Sequence, residues 1–181
     1  MVLLGAGVSM AVGMPSTQDI TGRVLTGQDV YHHTDGVYYL GPANPRIADG
    51  YTPRAVGVVR LIASDLERFY FEWPGRDVTY EDVFYILDQV RESMNENYEN
   101  PALEPLIRRL VKQLRTLLDG RQRESRPRWT TYEVIDEACN YLRDVVWHLL
   151  QPTPPNLSSL ALFGDACTAQ KASGIDLFTL T

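Results

Sequence analysis

The chain has 181 residues, 44% of them hydrophobic and 22% charged, which fits one globular domain and excludes a disordered or collagen-like chain. A formal net charge of -6 disfavours bulk binding to nucleic-acid backbones or anionic membranes. No apolar run approaches the roughly 18 residues that span a bilayer, and the first residues lack a signal-peptide pattern, so the expected location is the cytoplasm.

In chain order, Val2-Leu3-Leu4 reads as a short strand that runs straight into Gly5-Ala6-Gly7-Val8-Ser9. Strand, glycine turn and helix in that order make a phosphate-binding turn. Gly5 permits the sharp exit from the strand, and Gly7 lets the backbone approach a pyrophosphate with no Cβ in the way. Helix N-terminal amides then meet the anion. No Gly-Lys-Ser/Thr follows, so this is not a Walker A loop, and Met10 stands where the ordinary dinucleotide fingerprint has its third glycine.

Ser16 is a plausible N-cap for a helix reaching Leu25, with Gly27 as its stop. Residues 28–53 hold Gly36, Gly41, Pro42, Pro45, Gly50 and Pro53, and so read as a loop with room for one short hairpin. Val58, Val59, Ile62, Leu66, Phe69 and Tyr70 fall on one helix face, closed by Pro74-Gly75. Thr79 with Asp82 caps a second helix, whose buried side is expected to hold Tyr80, Val83, Phe84, Leu87 and Val90. The stripe Leu103, Leu106, Ile107, Leu110, Val111, Leu114, Leu117 and Leu118 predicts a third, ending at Gly120. Arg121, Arg123, Arg126, Arg128 and Trp129 read as a solvated loop.

Thr130 with Glu133 then opens a helix with Val134, Ile135, Ala138, Cys139, Leu142, Val145, Val146 and Leu149 on its apolar face, stopped by Pro152. A helix over 157–172 and a strand over 175–181 complete the chain. A parallel sheet needs more than two strands, so the domain is expected to be incomplete at its C-terminus. Cys139 and Cys167 read as reduced, buried thiols. His32, His33 and His148 read as structural, and the adjacent pairs Glu81-Asp82 and Asp136-Glu137 as capping and solvation charges.

The run Gly5-Ala6-Gly7-Val8-Ser9, a three-residue spacer, then Gly13-Met14-Pro15-Ser16 resembles the first motif of the SIR2 family. That motif reads Gly-Ala-Gly-x-Ser, a short spacer, then Gly-x-Pro followed by Asp in the deacylases and often by Ser in the bacterial SIR2-like branch. The close match covers about the first sixteen residues. Thr79-Tyr80-Glu81-Asp82-Val83 is similar to an aromatic-Glu-Asp-apolar segment of the family, and Leu177–Thr181 to the strand leading into its Thr-x-Asn-aromatic-Asp segment.

The resemblance implies an α/β fold: a Rossmann-like parallel sheet of the SIR2/DHS-like kind with a large helical insertion. Residues 1–181 would form one partial NAD-binding domain, with a strand-helix unit at 1–27, the insertion at 54–151 and a helix-strand unit at 157–181. It implies NAD contacts for Gly5, Ala6, Gly7, Ser9, Gly13, Pro15 and Ser16. The family's asparagine falls at Thr181 or just after it, depending on register, and its histidine base has no counterpart, so no catalytic residue is assigned.

The sirtuin zinc ribbon of two Cys-x-x-Cys pairs has no counterpart either, so no metal is expected. That departure points to the SIR2-like NAD hydrolases, with NAD as substrate and a role in antiphage defence. A homo-oligomer or a partner domain is expected. Two other readings stand beside it: a non-catalytic nucleotide-binding or oligomerisation module, and a Rossmann-type oxidoreductase with Asp29 near the ribose-binding position.

Overall fold

The computed structural model describes residues 2–4, 14–42, 50–71, 75–94, 98, 100–121, 130–151, 161 and 177–179. In chain order the elements are β1 (Val2–Leu4), α1 (Thr17–Thr26), β2 (Val30–His32), β3 (Tyr38–Leu40), α2 (Thr52–Tyr70), α3 (Tyr80–Glu92), α4 (Glu104–Arg121), α5 (Thr131–Leu150) and β4 (Leu177–Thr179). The Rossmann-like parallel sheet is not what these residues form. They are mostly helical, and their strands make two short pairs, β1 parallel to β4 and β2 antiparallel to β3. The physical reason lies in where the apolar residues are. They recur at helical spacing over α2 to α5, and the helices expected to be an insertion carry nearly all of the described core.

Each helix start has a chemical cause. Ser16, Thr79 and Thr130 are N-caps whose hydroxyls accept the backbone N–H of Asp19, Asp82 and Glu133, and those three carboxylates accept the cap residues' own N–H groups. α2 has no side-chain cap and starts with Pro53 in its first turn, where the missing N–H is not needed. The expected loop therefore ends at Tyr51. At the other end of α1, Gly27 takes φ +64° and donates its N–H to the Arg23 carbonyl. A Cβ at Gly27 would lie 2.6 Å from Val56 Cγ2, so glycine serves both the turn and the close approach of α2.

α5 is the central element and packs against α2, α3 and β3. Val134, Ile135, Ala138, Cys139, Leu142 and Val145 are its buried face. Across from it lie Val58, Val59, Ile62 and Leu66 of α2 and Val83, Ile86, Leu87 and Val90 of α3. α4 adds Ile107, Leu110 and Leu114, and it runs through Gly120 to Arg121. Two aromatic residues expected in this core lie outside it, since helical spacing alone does not place another element opposite them. Phe69 is 61% exposed near the end of α2, and Phe84 is 38% exposed on the outer side of α3.

Side chains tie the helices at their ends. Arg60 of α2 donates from Nε to the Leu25 carbonyl at 2.6 Å, and Thr21 of α1 accepts the Tyr80 N–H at 3.0 Å. The carboxylate of Asp65, 3% exposed, receives Arg109 Nε from α4 at 3.0 Å. Among the described residues, no helix is long and apolar enough to cross a membrane.

The capping carboxylates make stability depend on acid. Burial pulls the Asp82 carboxyl upward, but hydrogen bonds from the Thr79 backbone and hydroxyl, Tyr70 and Arg76 hold it below its ordinary value. The Ser16 hydroxyl and N–H do the same for Asp19, and the Thr130 N–H and hydroxyl for Glu133. A pKa lowered in the folded state gives stability that is complete above the unfolded value of about 4 and is lost as pH falls through the folded one. The urea midpoint is therefore expected to fall below about pH 4. Asp82→Asn should flatten that fall, and an unchanged acid slope would count against the assignment.

Candidate functional site

β1 ends immediately before Gly5 and pairs in parallel with β4, Val2 opposite Leu177, Leu3 opposite Phe178 and Leu4 opposite Thr179. The carboxyl ends of the two strands thus lie at the same end of this two-stranded pair. Gly5, Ala6, Gly7, Ser9 and Gly13 lie outside the described residues. Pro15 and Ser16 are described, and both are half-buried before α1. The Ser16 hydroxyl accepts the Asp19 N–H at 3.1 Å and donates to Asp19 Oδ2 at 2.6 Å. Its structural duty is capping. With the Asp19 carboxylate already placed at this helix end, the α1 dipole is compensated from within the chain.

A second polar cluster forms where the β2–β3 hairpin meets α5. Tyr38, fully buried, donates its hydroxyl to Glu137 Oε1 at 2.5 Å and its backbone N–H to Asp144 Oδ2 at 3.2 Å. His32 Nε2 lies 3.4 Å from the same Glu137 oxygen, and the imidazole stacks on Tyr51 with centroids 4.3 Å apart. Tyr38 also meets Tyr141 edge-on at 5.1 Å, and the Tyr141 hydroxyl donates to the Val24 carbonyl at 2.8 Å. Burial raises the Tyr141 phenol far above its ordinary value, so it stays a donor. Chemically, an imidazole and a phenol share one carboxylate oxygen; mechanically, the cluster clamps the hairpin to α5.

The chain matches no family model, no curated protein and no solved structure. Chemical assignment therefore rests on its own residues.

Glu137 was expected to be a solvation charge, yet its side chain is only 16% exposed. The signal for it was present. Glu137, Tyr141, Asp144 and His148 recur at steps of four, three and four, one stripe of α5 facing the hairpin. His148 lies against Tyr39 at 5.1 Å, and its Nε2 is buried with no hydrogen-bond partner among the described residues. His33 and Asp35 close the hairpin turn, their Nδ1 and Oδ2 atoms 3.2 Å apart. Asp29, at φ +56° in the turn after α1, pairs with Arg23 at 2.9 Å, which accounts for it without a ribose. Among the described residues, no group of three or more His, Cys, Asp and Glu could hold a metal ion.

Cys139 is a free, buried thiol, and burial pushes its pKa up to about 11. It stays protonated at neutral pH and is not a nucleophile in the folded protein. Cys167 lies outside the described residues. In a Cys167→Ser background, alkylation of Cys139 is expected only on unfolding in urea. Rapid modification in native buffer would disprove its burial.

Proposed function

We propose that this chain carries the nucleotide-binding part of a SIR2-like NAD hydrolase. The observation that supports the reading best is that Gly5-Ala6-Gly7-Val8-Ser9 follows directly on β1, at the same end of the strand pair as the carboxyl end of β4, and that Gly13-Met14-Pro15-Ser16 comes three residues later, leading into α1. Glycine at these positions would let a pyrophosphate approach the backbone with no Cβ in the way. The reaction is cleavage of the nicotinamide–ribose bond through an oxocarbenium-like transition state, with water as acceptor. NAD depletion as an antiphage response is the biological role that goes with this chemistry.

Released nicotinamide, measured beside an NAD-binding titration, tests the proposal. Ser9→Ala is expected to weaken NAD binding about tenfold, the loss of one hydrogen bond near a charged group. Cys139→Ala, which alters only the core, should leave binding unchanged. Binding without turnover would favour a non-catalytic nucleotide module, and neither binding nor turnover would overturn the nucleotide reading.

A further inference from the structure

One face of α4 is basic. Arg108, Lys112 and Arg115 follow one another at steps of four and three, which sets them in a row along one side of the helix, about 10 Å long at roughly 1.5 Å of rise per residue. All three line a cleft of about 790 Å³ between α4, the end of α3 and the start of α5, with Tyr98 and Tyr132 in its other walls. Glu104 is the only carboxylate among the described residues that line it. The cleft therefore sets three cations against one anion, on a chain whose net charge is -6.

Two of those cations are uncommitted. Arg109 of the same helix is held by buried Asp65, and Arg108 meets Glu104 at 2.5 Å while staying 78% exposed. Lys112 and Arg115 make no ion pair and no side-chain hydrogen bond among the described residues. The Tyr98 hydroxyl is buried with no hydrogen-bond partner among the described residues, and burial, with Tyr85 and Glu104 nearby, raises its pKa, so it stays a donor. A buried donor without an acceptor is rare in a folded protein and is satisfied when an acceptor comes beside it. Unpaired cations and an unsatisfied donor in one cleft fit a ligand rich in anionic oxygens. The volume fits a small molecule, whose sites run from roughly 300 to 1,000 Å³. A long nucleic acid would have to cross the rest of this acidic surface, whereas a small anion meets only the cleft. Cations in a row suit a chain of phosphates, which spreads its charge along its length, better than a single phosphate or carboxylate.

We propose that this cleft binds a small polyphosphate anion, with Lys112 and Arg115 on its phosphates, Arg108 as a third contact and Tyr98 donating to a phosphate oxygen. The site is separate from the glycine motif and stands without the NAD reading. A nucleoside triphosphate and inorganic triphosphate carry the same chain, and Tyr132, exposed in the cleft wall, tells them apart because it can stack only on a base. Calorimetric titration of the 181-residue chain with ATP and, separately, with inorganic triphosphate, at about 0.15 M salt, should show saturable binding at one site. Lys112→Glu with Arg115→Glu should weaken it about a hundredfold or more with the far-ultraviolet circular dichroism unchanged, since both side chains are exposed.

Tyr98→Phe should weaken binding about tenfold and leave the urea midpoint where it is. A hydroxyl with a merely structural role would do the reverse. Tighter binding of ATP than of inorganic triphosphate, with the advantage lost in Tyr132→Ala, makes the ligand a nucleotide, and equal affinities make it the phosphate chain alone. Ser9→Ala should leave this binding unchanged, and the double charge reversal should leave NAD binding unchanged, so the two sites fail or stand separately. No saturable binding of either probe, binding indifferent to the double reversal, ATP binding lost in Ser9→Ala, or tighter binding of a single-stranded oligonucleotide than of ATP would each overturn the proposal.

Discussion

Replacing Tyr38 with alanine is expected to lower the free energy of unfolding by about 3–5 kcal/mol, the range for deleting a fully buried aromatic side chain. Tyr38 is completely buried between the hairpin and α5, edge-on to Tyr141, and its hydroxyl supplies Glu137 with a donor. Removing the ring leaves a cavity and takes that donor from a half-buried carboxylate, so two penalties act together. Tyr38→Phe keeps the ring and separates them. It should cost about 1–3 kcal/mol, the share belonging to a hydrogen bond on a charged acceptor. Urea unfolding followed by circular dichroism measures both. If the alanine variant costs no more than the phenylalanine variant, the ring does not fill the space assigned to it.

Ile62→Ala should cost about 2–5 kcal/mol, whereas Phe69→Ala on the same helix should stay within about 0.5 kcal/mol of wild type. Both residues belong to the apolar stripe read from the sequence of α2. Ile62 has no exposed surface and faces the buried side of α5, while Phe69 lies in the last turn, beyond the core, 61% exposed. The contrast in urea midpoint tests where that face stops. Equal losses from the two substitutions would mean that Phe69 is covered in solution.

The helical part of this protein was legible because its signals are local. Ser16 with Asp19, Thr79 with Asp82 and Thr130 with Glu133 each spell a capping box within four residues. Gly27 stops α1 as its position predicted, and the short hairpin that residues 28–53 allowed is present. Periodicity does not set how far a buried stripe extends. Phe69 and Phe84 have the right spacing for burial, but spacing says nothing about whether another element lies opposite. The candidate clamp was half visible. The recurrence of Glu137, Tyr141, Asp144 and His148 could be seen on one strip of helix, but its partners Tyr38 and His32 lie about a hundred residues away in the chain.

The sequence by itself determined the capped starts of α1, α3 and α5, the stop at Gly27, the buried faces at the centres of α2 to α5, and the glycine motif that directs the functional proposal. These depend on hydrogen bonds and periodicity within a few residues, which chain order alone encodes. Only the tertiary structure decided that the helices form the core instead of decorating a parallel sheet. It also decided that Glu137 is withdrawn from solvent by Tyr38 and His32, and that Arg108, Lys112 and Arg115 of α4 share one cleft with Tyr98 and Tyr132. Burial and shared surfaces are properties of pairs of elements. Their free energies come from area removed from water and from partners brought close in space, and neither quantity exists until the chain has chosen which helices touch.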